Sequence, residues 1–312
     1  MIPLNILLLG AGGDIGQSIY KILSEIKWIK KTVGTDININ SASGLLFDKF
    51  YKVPKCDNLK YIEEISQIIE DENISLILPV SESEIRYFFR NAIESINNIP
   101  LILTNSLSLS IGLDKLKTIE FLKENNLPYP KTYKQNTNLD LDYPILAKPN
   151  RGSGSKSIIK IEDELDLAYT NRKFPHHILQ EFLHEDEGEY TCGLFCSSKG
   201  VIRHIVFKRD LMSGFSVFGE VVENEIINQI LIKIARVLNL KGSINVQLRV
   251  VNGKPYVFEI NPRFSSTVRF RDLFGFKDVL WVLEDEIKTV ISSYNKPSKG
   301  RKFYKGFNEY IV

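Results

Sequence analysis

Short apolar runs that alternate with longer amphipathic runs in the first hundred residues constrain the fold more than any other feature of this 312-residue chain. These short runs are rich in leucine or in β-branched residues, and they lie at residues 4–9, 31–36, 76–80 and 101–104. Between them, residues 15–28 and 61–69 carry apolar side chains at helical spacing. Buried strands that alternate with helices are typical of a parallel sheet covered by helices on both faces.

The pattern changes near residue 114. A helical run at 116–125 ends at Leu127-Pro128-Tyr129-Pro130, because proline cannot continue a helix. Further helices are expected near 224–238 and 275–291. The remaining segments are strand-like and are joined by hairpin-type turns, at residues 143–148, 157–161, 177–182, 189–196, 201–208, 243–250, 255–261 and 303–312. The chain is therefore expected to be α/β at first and antiparallel α+β afterwards.

Composition excludes several classes of protein. The formal net charge is +2, which is too balanced to indicate nucleic acid or an acidic membrane surface as a partner. No apolar stretch reaches the length of a transmembrane helix. Three cysteines in a chain of this size do not make a disulfide framework. We therefore expect a cytoplasmic protein without membrane or nucleic-acid partners.

A glycine-rich motif follows the first predicted strand. Residues 10–16 read Gly-Ala-Gly-Gly-Asp-Ile-Gly and precede a predicted helix, and Asp36 ends the next strand. In dinucleotide-binding proteins such a helix N-terminus binds phosphate. The third glycine of that motif would fall on Ile15, so a tight turn without any dinucleotide is the other interpretation. An NAD-dependent oxidoreductase stays open as an alternative on this motif.

A second motif combines a lysine with a loop of small residues. An apolar strand leads to Lys148, and the loop that follows contains Gly152, Ser153, Gly154 and Ser155. A lysine ammonium suits phosphate oxygens, and small residues allow backbone amides to approach phosphate closely. A polar hairpin loop with a solvated lysine is the alternative reading of this segment.

The third motif is a hairpin with polar residues on alternate positions. Gln247 lies on its first strand, and Glu259 and Asn261 lie on its second, around a turn at Asn252-Gly253. A two-residue turn places Gln247 and Glu259 on opposite faces. A three-residue turn over 251–253, with a bulge at Gly253, places them on one face, where their oxygens suit a hard cation such as Mg²⁺. We predict the three-residue turn; a solvated polar face is the alternative.

Together these elements resemble the ATP-grasp superfamily, in particular one synthetase unit of the carbamoyl-phosphate synthase large chain and the short single-unit ligases related to it. The resemblance covers residues 4–286 and is most specific at Asn245-Val246-Gln247 and Glu259-Ile260-Asn261-Pro262-Arg263. It implies a Rossmann-like domain over 1–108, followed by two α+β subdomains that grip ATP. These are a small lid subdomain at 109–178 and a C-terminal subdomain with the metal site at 179–312.

The resemblance also assigns roles to residues. For the phosphates of ATP it implies contacts from Lys115, Lys148 and, more loosely, Lys208 or Arg209. The loop that closes over the phosphates would consist of Gly152, Ser153, Gly154 and Ser155. Adenine would contact Glu181, Phe182 and Leu183, and the ribose would contact Glu189. For the metal it implies Gln247, Glu259 and Asn261, with one or two Mg²⁺ ions or Mn²⁺ in their place. Arg263 and Lys148 are expected at the γ-phosphate, and Gly12, Gly13, Arg269 and Arg271 at the carboxylate substrate.

The activity implied is an ATP- and Mg²⁺-dependent ligation of a carboxylate to an amine through an acyl phosphate. The partners expected are these two small molecules, with a homodimer as the default oligomeric state. One unit leaves room neither for a second synthetase unit nor for a glutaminase, so synthesis of carbamoyl phosphate is not expected. Two alternatives remain, an NAD-dependent oxidoreductase and an ATP-binding protein without catalysis.

Overall fold

The computed structural model describes residues 3–135, 137, 140–152, 157–184, 188–212 and 214–306. In chain order the strands are β1 (Leu4–Leu9), β2 (Ile29–Asp36), β3 (Lys49–Lys52), β4 (Leu76–Pro79), β5 (Ser95–Ile96), β6 (Ile99–Pro100), β7 (Thr132–Lys134), β8 (Ile145–Pro149), β9 (Ile159–Ile161), β10 (His177–Glu181), β11 (Glu189–Cys196), β12 (Ile202–Met212), β13 (Phe215–Val221), β14 (Gly242–Val251), β15 (Lys254–Asn261) and β16 (Lys302–Tyr304). The helices are α1 (Asp14–Leu23), α2 (Tyr61–Asp71), α3 (Glu82–Arg90), α4 (Ser106–Gly112), α5 (Lys115–Glu124), α6 (Glu164–Lys173), α7 (Glu225–Val237), α8 (Val268–Leu273) and α9 (Asp278–Glu286).

The first sheet is parallel, in the order β3-β2-β1-β4. Apolar side chains from its two faces enter two different cores: Leu7 and Leu9 pack with α2 and α3, whereas Ile6 and Leu8 pack with α1 and with residues of α9. This confirms the doubly covered parallel sheet. The strand predicted at 101–104 is wrong, because Leu101 makes only an isolated bridge to Ile77 and the chain before it forms the β5–β6 hairpin. The edge strand on that side of the sheet is therefore β4, and β3 forms the opposite edge.

The second sheet is small and antiparallel, in the order β7-β10-β8-β9. In the described part of the chain, its core contains four buried apolar residues, Ile145, Ala147, Ile161 and Leu179. The predicted boundary between residues 178 and 179 falls inside β10, which belongs to this sheet through its last residue, Glu181. The small subdomain therefore includes all of β10.

The third sheet has six antiparallel strands in the order β15-β14-β11-β12-β13-β16. One face packs against α7 through alternate residues such as Cys192, Leu194 and Val246. The opposite face divides along its length: Phe195 and Ile205 join the core shared with the N-terminal domain, whereas the other end of the same strands is polar. The polar half of this face forms the floor of the site described next. An α/β domain followed by antiparallel α+β sheets confirms the predicted fold class.

The helix expected over 275–291 is shorter in the structure. The chain forms α8 and α9 with a break between them, where Gly275 adopts a φ of +88°. That backbone conformation strains other residues, so the break coincides with the one residue type that accepts it readily. No described helix has the length and apolar composition needed to cross a lipid bilayer.

Candidate active site

A cleft of about 1200 Å³ lies where these three sheets meet. The first sheet contributes the loops after β1 and β4, the second contributes β8 and the segment after β10, and the third contributes its polar face. Ligands in α/β domains commonly bind beyond the carboxyl ends of parallel strands, which is where the first sheet faces this cleft. Most of the predicted site residues line it, including Lys115, Lys148, Glu259, Asn261 and Arg263.

The hairpin that carries the predicted metal ligands has a different geometry from the one expected. Val251 pairs with Lys254, so the turn has two residues, and both Asn252 (φ +50°) and Gly253 (φ +73°) are left-handed. The predicted three-residue turn is therefore wrong. The register shifts further along, where Leu248 pairs with Val257 but Gln247 pairs with Glu259, leaving Phe258 as the extra residue of a bulge.

This bulge places Gln247 and Glu259 on one face of the hairpin, as the predicted three-residue turn was expected to do. Gln247 and Glu259 are direct partners across β14 and β15, and Asn261 lies two residues beyond Glu259, on the same face. All three side chains line the cleft together with Phe258. The convergence of the three oxygen-bearing side chains is therefore confirmed, although the bulge that produces it lies in the strand and not at the turn.

Glu259 is a partly buried carboxylate among cations. Lys115 Nζ lies 3.5 Å from Glu259 Oε1. Burial favours the neutral acid, but the positive charges of Lys115, Lys148 and Arg263 outweigh it, so the pKa of Glu259 is below its usual value. Glu259 is thus ionised at neutral pH and able to serve as a ligand for a cation.

Lys148 is a buried cation of the cleft, with 6% of its surface exposed. Its Nζ lies 5.4 Å from the centre of the Phe258 ring. Burial lowers its pKa from 10.5 to about 8, a shift that Glu259 opposes and the nearby Lys115 increases. A bound polyanion would stabilise the charged form of this buried ammonium and raise its pKa again.

Lys115 is held in place by its own helix. Asp114 caps α5 by accepting a hydrogen bond from the Lys117 amide, and the Lys115 amide donates to the carbonyl oxygen of Asn150, which follows β8. The helix N-terminus is thereby fixed to the strand that carries Lys148. Lys115 Nζ also donates to the carbonyl oxygen of Gly152 at 2.8 Å. Gly152 lies in the cleft lining; Ser153, Gly154 and Ser155 lie outside the described residues.

The donor set fits a hard cation. It offers one ionised carboxylate, Glu259, and two amide side chains, Gln247 and Asn261, and oxygen ligands of this kind suit Mg²⁺ or Mn²⁺. Gln247 Oε1 also accepts a hydrogen bond from Arg209 at 3.0 Å, which leaves one lone pair for a metal. Among the described residues no three His, Cys, Asp or Glu side chains form a metal-binding group, so a zinc-type site is not present there.

The segment predicted to contact adenine lines the opposite wall of the cleft. The Glu181 carboxylate accepts a hydrogen bond from the Lys131 amide at 2.9 Å, so this side chain fixes the strand end. Phe182 and Leu183 follow it in the lining, and the Leu183 carbonyl oxygen accepts from Arg249 at 2.9 Å. Backbone groups and the Phe182 ring are therefore what this wall presents to a ligand.

Glu189 lies between two arginines that sequence reasoning did not place with it. Register pairs Glu189 with Arg209 on one neighbouring strand and with Arg249 on the other. Arg209 donates to Glu189 Oε1 at 2.6 and 3.2 Å, and Arg249 donates to Oε2 at 3.0 and 3.3 Å. Lys208 is exposed and absent from the cleft lining, because it alternates with Arg209 along β12. Arg209 is therefore the basic residue of this strand in the cleft.

The glycine motif lies at the N-terminal end of the cleft. Gly13 lines the cleft, whereas Gly12 turns its amide to Asp36 Oδ2 at 2.8 Å. A side chain at Gly12 would collide with Asp36, whose oxygens come within 2.6 Å of the position of a Cβ. The carboxylate that an NAD-dependent enzyme would use for ribose is thus engaged with the loop itself. This geometry does not favour the NAD interpretation.

The two arginines predicted to hold the carboxylate substrate lie elsewhere. Arg269 pairs with Glu25, two residues beyond the end of α1, and with Asp272. Arg271 is fully buried beneath the cleft and forms an ion pair with Asp278 at 2.9 Å. Neither lines the cleft, because α8 packs between the sheet and α1. The structure therefore does not bring these two arginines together with the other predicted site residues.

Other residues in the lining were missed. Arg86 of α3 lines the N-terminal end and donates to Glu82 at 2.6 Å, and Ser81 and Ser83 lie beside it. Arg249 and Phe258 also line the cleft. Arg249 stands two residues from Gln247 along the strand, so strand periodicity could have placed both on the face that lines the cleft. The position of α3 beside the cleft depends on how the domains pack, and no local sequence pattern indicates it.

The fold and the cleft together define an ATP-grasp protein, in which two α+β subdomains face each other behind a parallel α/β domain. Two family models match the chain: residues 6–102 match the PylC-like N-terminal domain, and residues 113–267 match the ATP-grasp domain. Residues 113–267 therefore form an ATP-grasp domain, which a PylC-like N-terminal domain precedes in the chain.

Curated relatives are carbamoyl phosphate synthase large chains. That of Caldanaerobacter subterraneus subsp. tengcongensis is 29% identical over 194 residues, which is 55% of this chain and 18% of the relative. That of Clostridium botulinum is 25% identical over 306 residues, or 85% of this chain and 27% of the relative. The chain thus spans between 18% and 27% of the length of these two relatives.

Solved structures share the fold at low identity. The ADP complex of N5-carboxyaminoimidazole ribonucleotide synthetase has a TM-score of 0.74 at 18% identity, covering 95% of this chain and 80% of that one. The biotin carboxylase domain of Hydrogenobacter thermophilus 2-oxoglutarate carboxylase has a TM-score of 0.77 at 16% identity, covering 97% and 74%. The L-amino acid ligase from Bacillus licheniformis has a TM-score of 0.69 at 16% identity, covering 93% and 75%.

Proposed function

We propose that this protein is an ATP- and Mg²⁺-dependent carboxylate–amine ligase. The observation that carries the proposal is the convergence of three cations, Lys115, Lys148 and Arg263, with the oxygen ligands Glu259 and Asn261 at one end of a single cleft. Positive charge with hard oxygen ligands is what a metal-bound triphosphate requires. Family membership supports the nucleotide, since structures with this fold include complexes with ADP and with MgADP.

In the proposed reaction the substrate carboxylate attacks the γ-phosphorus of ATP, and the bond from that phosphorus to the β,γ-bridging oxygen breaks. The products are ADP and an acyl phosphate. The amine then attacks the acyl carbon, inorganic phosphate leaves with the bonding electrons, and the amine loses a proton. Magnesium, when held by Gln247, Glu259 and Asn261, neutralises charge on the phosphates.

The protein's own residues supply positioning and electrostatic stabilisation. Lys148 and Lys115 would contact phosphate oxygens from the side of the small sheet, and Arg263 from the side of the substrate. The pKa of Arg263 is lowered by burial, yet nearby Glu82 and Glu259 favour its charged form. A carboxylate can approach the γ-phosphorus only where such cations offset its charge. We assign the carboxylate to the end lined by Gly13, Arg86 and Arg263.

Two further assignments accompany this proposal. The three cysteines, Cys56, Cys192 and Cys196, are free thiols, which supports a cytoplasmic location. A homodimer is the oligomeric state we propose, supported by the dimer named for the structurally similar biotin carboxylase domain.

The first experiment measures binding of a non-hydrolysable ATP analogue by calorimetry with and without Mg²⁺, and then ADP release over a panel of carboxylates and amines. We expect Mg²⁺-dependent binding and ADP release with at least one pair. Glu259→Gln is expected to lower ADP release about 100-fold or more, by analogy with the loss of one electrostatic group in other active sites. Glu120→Gln, an exposed acid on α5, is the matched control and should keep full activity.

The outcomes separate the alternatives. No binding of the analogue, together with tight binding of a nicotinamide dinucleotide, overturns the proposal in favour of an oxidoreductase. Binding without ADP release over the whole panel, in a protein whose biological role survives Glu259→Gln, identifies an ATP-binding protein without catalysis.

A further inference from the structure

Strand β16 forms one edge of the third sheet and contributes to the core that this sheet shares with the N-terminal domain. Its residues 302–304 pair with β13, where Phe303 is opposite Gly219. Phe303 is 5% exposed, and its ring stacks on that of Phe270 in α8 with the ring centres 4.0 Å apart. Gly219 leaves room for the Phe303 ring, since a Cβ there would lie 2.4 Å from it. Backbone pairing and burial therefore fix the position of β16.

Lys305 follows β16 and reaches across to the N-terminal domain. Its amide donates a hydrogen bond to the carbonyl oxygen of Val217 at 2.8 Å, which holds the backbone beside β13. Its side-chain ammonium donates to Asp14 Oδ1, and 20% of each of these two side chains is exposed. Asp14 lies in the first turn of α1. The ion pair therefore joins the edge of the third sheet to the glycine motif of the first domain.

Asp14 is part of the cleft lining, directly after Gly13. We have assigned the carboxylate substrate to this end of the cleft, which Arg86 and Arg263 also line. A carboxylate side chain at this end repels an anionic substrate unless a cation offsets its charge. Among the described residues, Lys305 donates to Asp14 Oδ1, whereas Asp14 Oδ2 is buried without a hydrogen-bond partner. Lys305 is therefore placed to offset the charge of Asp14.

We propose that Lys305 sets the charge of the substrate end of the cleft, by neutralising Asp14 so that a carboxylate can bind beside it. Lys305 lies outside the cleft lining and acts through Asp14, so it is a positioning residue and not a catalytic one. This inference rests on the proposed function, because it presupposes that a carboxylate binds at this end. It gives the segment after β16 a role in substrate selection.

The test measures ADP release by the whole protein at low ionic strength, with saturating Mg²⁺ and ATP. The panel contains the common amino acids, acetate, succinate and glutarate, each with ammonium chloride or glycine as the amine, and the probe is the acid with the highest kcat/KM. A unit charge within about 10 Å in a partly buried site changes the affinity for a charged ligand by about tenfold. Lys305→Met exposes the charge of Asp14, so the KM of the acid should rise about tenfold while kcat changes by less than about twofold.

A second variant distinguishes a role of the charge from a role in holding the turn. Asp14→Asn removes the negative charge and leaves Lys305 in place, so its KM should equal that of the native protein or fall below it. The two substitutions together should return the KM to within about twofold of the native value. If the ion pair only held the glycine motif in place, each substitution would raise the KM, and the double variant would not recover.

Lys302→Met is the matched control. Lys302 lies on β16 itself, its side chain is 51% exposed, and it pairs with Glu220, which does not line the cleft. This variant should leave the KM unchanged. Lys305→Arg keeps the positive charge and should stay within about threefold of the native KM. Lys305→Gln replaces Lys305→Met if the latter does not fold.

The possible results have different consequences. A KM that rises about tenfold in Lys305→Met and recovers when Asp14→Asn is added supports the inference. An unchanged KM in Lys305→Met, or a rise that Asp14→Asn does not reverse, overturns the inference and leaves the proposed function standing. Absence of ADP release with every pair of the panel overturns the proposed function, and this inference with it.

Discussion

The pKa of Lys148 predicts how nucleotide binding depends on pH. In the free protein burial lowers this pKa from 10.5 to about 8. A shift of this size corresponds to about 3 kcal/mol of unfavourable free energy for the charged form. A triphosphate bound beside Nζ raises the pKa again, so binding above pH 8 requires the uptake of a proton.

The magnitude follows from that proton. At pH 7 Lys148 is already charged in the free protein, whereas at pH 9 only about a tenth of the molecules carry the charge. We therefore expect the Kd for the Mg²⁺ complex of a non-hydrolysable ATP analogue to be about tenfold weaker at pH 9 than at pH 7. Calorimetry at pH 9 in buffers of different ionisation enthalpy should show the uptake of about 0.9 proton.

Lys148→Arg is the decisive variant, because a guanidinium keeps its charge throughout this range. Its Kd should change little between pH 7 and pH 9, even if it is weaker overall. Lys123→Arg, at an exposed position of α5, should retain the pH dependence of the native protein. A native Kd that is constant over this range, or the same tenfold change in Lys148→Arg, would refute the reasoning.

Three further predictions concern stability, each measured by urea unfolding with nucleotide binding as the second readout. Asp278→Asn removes the negative partner of the fully buried Arg271 and should cost about 3–5 kcal/mol, with little change in Kd for the protein that remains folded; a cost below 1 kcal/mol would contradict the buried pair. Gly112→Ala places a Cβ 2.7 Å from Pro262 and 2.9 Å from a backbone oxygen of β15, so we expect a loss of about 1–3 kcal/mol; no loss would show that α4 can move away. Gly253→Ala has open space around its Cβ but a φ of +73°, so a loss of about 1 kcal/mol with unchanged Kd is expected; weakened binding would show that the turn itself shapes the site.

The candidate site shows where sequence reasoning succeeded. Lys148 follows an apolar strand, and Gln247, Glu259 and Asn261 occupy alternate positions on two strands joined at an Asn-Gly pair. These are local patterns, because strand periodicity fixes which side chains share a face. Their assembly in one cleft agrees with the prediction.

The failures share a physical cause. Arg269 and Arg271 stand two residues apart in the sequence, as they would on one face of a strand, but the chain there is helical and turns them away from the cleft. Lys208 and Arg209 were equivalent in the sequence, and only the pairing of β12 with β11 decided that Arg209 faces Glu189. A one-residue bulge at Phe258 and an odd-length turn both place Gln247 and Glu259 on one face, so the sequence pattern could not distinguish between them.

The sequence by itself determined the order of the elements and the class of the fold, because apolar periodicity and turn residues act over a few neighbours and do not require distant partners. It also determined which residues carry the oxygen atoms and the charges of the site. Tertiary structure alone decided which of those charges meet. The pairing of Glu189 with two arginines, the burial that lowers the pKa of Lys148, and the removal of Arg271 to the interior all depend on contacts between segments far apart in the chain. Charge interactions and desolvation depend on distance and burial in space, and neither quantity is written in the local sequence.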